Sequence, residues 1–239
     1  MPPVGFFGSS TGVYSSAGGT EIFLVPQSSR ENDVLLAIVV QPSASPITAP
    51  AGWTLLASDA LGAPISQTCY LFRRLVAAAE PAQHVFAVGM ALAPQPVGLL
   101  LQYRSVDNTA AIVAHGLTAI TPTSVNFAAP SIVLAHYSDL VLLVYFALSA
   151  GGLTPTFTLP AGTTQRGPTV YGGGGAGGTL AIAEYLKEAI GATGALQAVC
   201  TATNTGLAAQ YGVQASPTLL APSIVPDVAG AIGLPSIGV

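Results

Sequence analysis

The residues able to do chemistry in this 239-residue chain are few: three histidines, ten carboxylates, six basic side chains and two cysteines. His84, His115 and His136 stand at unrelated spacings. None belongs to an HxH, HExxH or His–carboxylate motif that would hold a metal or relay a proton. Glycoside hydrolysis needs two carboxyl groups facing each other across roughly 5–9 Å. Glu184 and Glu188 come nearest to such a pair, but on a strand they lie about 13 Å apart, and only a helix would bring them together. The expected state is a solvated face shared with Lys187. No G-x-S-x-G elbow supports a serine hydrolase. The run YGGGGAGGTL from Tyr171 has the glycines of a phosphate loop without its Gly-Lys-Ser/Thr ending, so 172–178 reads as an inserted loop. Cys69 and Cys200 are too few and too far apart for a disulfide framework or a zinc site. They are expected as small buried apolar groups, with a single bridge open to them if the fold brings them face to face. No catalytic, cofactor-binding or metal residue is therefore expected.

Composition narrows the partners. Hydrophobic residues make up 51% of the chain and charged residues only 7%, against roughly 25% charged in ordinary soluble proteins. Such a surface is covered by Ser, Thr, Gln and Gly, or by neighbouring subunits, since interface cores are depleted in charge. A net charge of −4, with Arg73-Arg74 the one basic pair, argues against nucleic acid. The start, MPPVGFFGSSTG, has no basic segment followed by an apolar stretch, so no secretory signal is expected. LVLLVYFALSAGGL, from Leu140, is shorter than the ~20 residues of a membrane helix and reads as a buried strand. Pro222, Pro226 and Pro235 interrupt the apolar tail.

Short β-prone runs punctuated by Gly, Pro, Ser, Asn and Asp predict an all-β chain, an antiparallel sandwich of jelly-roll-like kind. Strands are predicted at 33–40, 53–58, 68–76, 83–88, 98–106, 111–114, 131–136, 140–148, 156–159, 180–188, 196–203 and 207–214. Pro81 and the Gly191–Gly194 segment cut short two Ala-rich stretches that propensity alone would make helical. The halves also echo each other. Asn32-Asp33-Val34 returns as Ser138-Asp139-Leu140, Pro50-Ala51-Gly52 as Pro160-Ala161-Gly162, and Tyr70-Leu71 as Tyr185-Leu186. GLLLQY from Gly98 returns as GLAAQY from Gly206, in the same order along the chain. Segments 32–106 and 138–216 are thus read as two versions of one unit within a single domain, 21–216, packed face to face because each alone leaves an apolar face open. Segments 1–20 and 217–239 are read as extended arms.

Each Pro-Ala-Gly corner reverses the chain, with Pro fixing φ and Gly free to take positive φ. Asp33 and Asp139 open their strands, where a carboxylate accepts hydrogen bonds from turn amides. Trp53 follows the first corner and could stack a sugar, but Thr163 replaces it after the second. A buried plug in one half is the expected role.

NDVLLA at 32–37, APAGWTLL at 49–56, YLFRRL at 70–75, QYRSVD at 102–107 and GATG at 191–194 resemble motifs of β-sandwich proteins of tailed bacteriophages and prophage regions. Here Asn32 stands where that family often has glycine. The resemblance covers about 190 residues. It implies a virion structural protein without catalytic residues or cofactors: a capsid decoration or cement protein, or a tail-fibre or adhesin-like module binding host-surface glycan. Its implied partners are copies of itself and major capsid or other virion proteins, with no nucleic acid and no membrane; its implied location is the virion. Deleting 217–239 is expected to leave the sandwich folded and weaken assembly, measured as oligomer size and particle binding of the truncated chain.

Overall fold

The computed structural model describes residues 4–15, 19–41, 45–63, 66–88, 95–107, 111–136, 139–148, 154–172 and 177–216. The expected C-terminal arm and the centre of the glycine run lie outside these residues. The first half supplies β1 (Gly5–Thr11), β2 (Val13–Ser15), β3 (Thr20–Leu24), β4 (Val34–Gln41), β5 (Thr54–Ala60), β6 (Thr68–Leu75), β7 (Gln83–Ala87) and β8 (Val97–Arg104). The second supplies β9 (Ile112–Ala129), β10 (Val133–Leu134), β11 (Asp139–Leu148), β12 (Phe157–Thr158), β13 (Thr164–Gln165), β14 (Val170–Tyr171), β15 (Gly178–Lys187), β16 (Gly191–Ala192) and β17 (Leu196–Val213). All pairings are antiparallel, and the chain is an all-β sandwich as expected.

Each half builds its own principal sheet, in the order β1-β8-β4-β6-β5 and, for the second, β9-β17-β11-β15-β13. The chain does not alternate between the two principal sheets, but in the first half it steps out to β2-β3, back, out to β7 and back again. The two sheets pack face to face over a core from alternate positions of the central strands, such as Leu36, Ile38, Leu142 and Val144. The other face of each sheet is also covered. In the first half β2-β3-β7 lies outside, its Phe23 and Phe86 packing on Leu35, Ala37 and Val39. In the second, the leading half of β17 and the trailing half of β9 curl over the sheet, so Phe127, Ala198 and Cys200 meet Val141, Leu143 and Tyr145. Hence β4 is buried along its whole length and β11 along nearly all of it. That double burial is why they read as continuous apolar runs without alternation.

Three expectations change. The described residues of segment 1–20 are not an arm: β1 pairs with β8 along the sheet edge and β2 joins the outer layer. Its Gly, Ser and Thr content hid a strand that is only half-buried. The middle region is one long strand, β9, whose Pro122 falls where pairing with β17 is interrupted, between Ser124 and Ile120. Two of the four echoes also slip against the sheet register. Tyr103 lies opposite Val34, the first residue after Asp33, whereas Tyr211 lies opposite Leu142, the third after Asp139. Tyr70 faces Val39, but Tyr185 faces Val141. Both slips are even, and with a side-chain period of two every residue keeps its face.

The corners turn as expected, Gly52 at φ +85° and Gly162 at φ +79°. The glycines of GLLLQY and GLAAQY have a different reason. A Cβ on Gly98 would fall 2.5 Å from the Phe23 ring, and one on Gly206 would fall against the Phe146 carbonyl oxygen. Leu142→Ala, which opens the seam between the sheets, is expected to lose about 2–5 kcal/mol of stability in urea denaturation. The same change at half-exposed Leu186 is expected to lose well under half of that.

Candidate functional site

Most charged side chains among the described residues are buried or half-buried. Tyr103 of β8 crosses the seam and donates a 2.5 Å hydrogen bond to Glu184 Oε2 on β15. Glu184 is also paired with Arg166, whose guanidinium lies 4.6 Å from the centre of the Phe6 ring. Phe6 in turn meets Tyr103 edge to face at 5.8 Å. The reverse crossing starts from Tyr211 of β17, which donates a 3.0 Å bond to Asp59 Oδ2 on β5. His115 Nδ1 lies 3.1 Å from Asp59 Oδ1, and its ring stacks on Tyr211. Burial, then the nearby Glu184, raises the Tyr103 hydroxyl well above the ordinary tyrosine range. Burial, then Cys69 and Asp59, does the same for Tyr211. Both phenols stay protonated and act as donors. These are the tyrosines of GLLLQY and GLAAQY, so each half reaches into the other through the same motif.

Two further clusters lock loops. Asp33 accepts from the Arg30 amide at 2.9 Å, from Gln102 Nε2 at 2.6 Å and from Arg104 Nε at 2.8 Å. Glu80 accepts from Arg74 Nε at 2.5 Å and from the Ala77 amide at 2.9 Å, and lies 2.7 Å from His84 Nε2. Burial pushes the Glu80 carboxyl up, but the bonds from Arg74, Ala77 and His84 outweigh it and hold it below its ordinary value. Arg74 Nη1 also donates to Ala51 O at 2.9 Å, which fastens the first corner. Thr163 Oγ1 closes the second by donating to Pro160 O at 2.7 Å.

The sequence candidates separate accordingly. Glu184 is buried in the seam and Glu188 exposed just beyond β15, so they are not a facing pair. His84 is buried against Trp53 at a ring distance of 5.1 Å, while His136 lies 3.7 Å from buried Asp139. Trp53 packs on Phe86 as part of the outer core of the first half. Cys69 and Cys200 are both buried and unpaired, and burial pushes the Cys69 thiol up to about 12. Among the described residues no three His, Cys, Asp or Glu side chains gather as a metal site.

What sequence reasoning missed is the outside. In β3 and β7, Glu21, Phe23, His84 and Phe86 point inward. The outward positions are Ile22 beside Val13 and Val85, then Leu24, with Ser15, Thr20, Gln83 and Ala87 around them. This face carries no charge. The opposite outer face, around Asn126, Thr158, Gln197, Val199 and Thr201, carries none either. Among the described residues only three charged ones are exposed: Arg30, Glu31 and Glu188. The signal was present in the alternation TEIFL, a run for which no strand was predicted. A groove of about 570 Å³ adjoins the first face, with Leu24 on its rim and Val25, Pro26, Pro81 and Ala82 along it. The arrangement offers surface for contact. Compared with known proteins, the chain matches no family model, no curated protein and no solved structure.

Under the first face lies Glu21, 1% exposed and wedged against Gly12 and Gly98. Burial pushes its carboxyl from 4.5 to about 8, a bond from the Gly98 amide opposing only in part. Oε2 has no hydrogen-bond partner among the described residues. The folded chain therefore keeps this proton to about pH 8, whereas the unfolded chain releases it near pH 4.5. Stability must fall as pH rises between those values. Glu21→Gln is expected to remove that slope. In denaturation curves its advantage should be near zero at the acid end and reach about 3–5 kcal/mol at the alkaline end.

Proposed function

We propose that this chain is a non-enzymatic structural component of a bacteriophage particle, a capsid decoration or cement protein that holds the shell through contacts with itself and with capsid protein. The observation that carries this reading is the surface: among the described residues, only Arg30, Glu31 and Glu188 are charged and largely exposed. A lone globule depends on surface charge for solubility. A face that mates with protein does not, because desolvating a charge is costly. The motifs resembling phage β-sandwich proteins supply the setting, and the carboxylates of Asp33, Asp59, Glu80 and Glu184, each held by structural donors, agree with a role without catalysis.

A second reading, a glycan-binding module, draws on Tyr171. It is 48% exposed beside Tyr14 and Gln95 in a depression of about 210 Å³. An exposed ring with neighbouring amides is what sugar stacking uses.

Imaging of intact particles, together with addition of the purified chain to undecorated shells, tests the first reading. The expected result is density at symmetric sites on the shell and a higher disruption temperature after addition. Density at the tail tip alone, with glycan binding lost in Tyr171→Ala, would establish the second reading instead.

A further inference from the structure

The outer face of β2-β3-β7 has the composition of an interface centre. Its middle row runs Val13, Ile22, Val85 across three strands, with Leu24 next along β3. Val13, Leu24 and Val85 are 61%, 58% and 40% exposed. A solvated antiparallel face is expected to be polar outward. This one is apolar at the centre and ringed by Ser15, Thr20 and Gln83. The opposite outer face is also uncharged but carries Asn, Gln and Thr around a single Val199, so it is hydrated rather than apolar.

We propose that this face, with the groove beside it, is a two-fold contact between copies of this chain. The inference deepens the structural reading above and rests on it for its setting, but its geometry is independent of any shell. In a two-fold contact a surface meets itself, so any charge near the axis faces its own like. Such juxtaposition costs several kcal/mol, and this face has no charge to juxtapose. Charge complementarity thus favours a second copy over a partner with a charged surface. Size sets a further condition. Three strands at ~4.8 Å and five residues at ~3.3 Å give a patch of roughly 15 by 17 Å. That falls short of the roughly 800 Å² per partner of a stable interface, so the contact must extend over the groove. The groove fits that need: Leu24 stands on its rim, so a two-fold places the Leu24 of each copy where it enters the groove of the other. The one carboxylate along the groove, Glu80, is already neutralised by Arg74 and bonded to His84.

The test is sedimentation of the purified full chain over a concentration series. It compares wild type with Val85→Glu, Leu24→Lys and, on the opposite outer face, Val199→Glu. Wild type and Val199→Glu are expected to dimerise alike, and the two face variants to weaken dimerisation about tenfold or more. Ile22→Cys provides a readout that does not depend on introducing a charge. It is expected to give a disulfide-linked dimer under mild oxidation, and Val199→Cys none. A wild-type chain that stays monomeric overturns the inference, as does a dimer equally sensitive to Val199→Glu, or one lost only on removing 217–239. A monomer that still docks on shells would overturn the two-fold contact while leaving the structural role standing. A dimer disrupted by Val85→Glu that binds no shell would uphold the contact and remove the role.

Discussion

Double burial of the two central strands is the constraint on which this molecule is built. Once β4 and β11 are apolar on both faces, a simple two-sheet sandwich leaves each with a wet side. Packing the principal sheets together covers one face of each, and the second must be covered from outside. The first half does this with β2-β3-β7 and its aromatic cluster of Phe23, Phe72, Phe86 and Trp53. The second half curls the ends of β9 and β17 back over the sheet. Outer layers this small have few residues to give to solvent. Their inward positions must be apolar or hydrogen-bonded, which leaves a thin uncharged skin.

An apolar seam is strong but non-directional. The Tyr103–Glu184 and Tyr211–Asp59 ties supply the missing direction, because each phenol finds its carboxylate at only one lateral setting of the sheets. Their value is in alignment more than in energy, since buried ionic groups gain little over apolar replacements of the same shape. Asp33 with Arg104, and Glu80 with Arg74, do for loops what the tyrosines do for sheets.

Much of the architecture was legible in the sequence because turns and double burial leave local marks. Pro50-Ala51-Gly52 and Pro160-Ala161-Gly162 marked two corners, and VLLAIVV and LVLLVYFAL marked the two central strands. Strands covered on one face by small residues left no such mark. β1 reads GFFGSST and pairs at an edge, where little selection for β-branched side chains acts. β17 was read in two pieces and β9 only at its start, because their irregular pairing near Asn204 looks like a loop to any local rule. The tyrosine–carboxylate ties were invisible for a different reason. Tyr211 and Asp59 are joined only by the way the halves face each other, and no spacing within either half records that. Even the echoes misled in detail, because register can slip by two residues without changing which side chains are buried.

The two halves also differ in how their layers are joined. In the second, β9 and β17 run without a break from the principal sheet into the outer layer, each 18 residues long. In the first, the corresponding positions are held by separate strands, β1 and β3 on one side and β7 and β8 on the other. Under load the two layers of the second half are strained along a shared backbone, so separating them means shearing a ladder lengthwise. The outer layer of the first half is a separate plate hinged to its sheet, and it can be peeled. One outer layer is thus continuous with its principal sheet through shared strands, and the other is a separate sheet packed on its own.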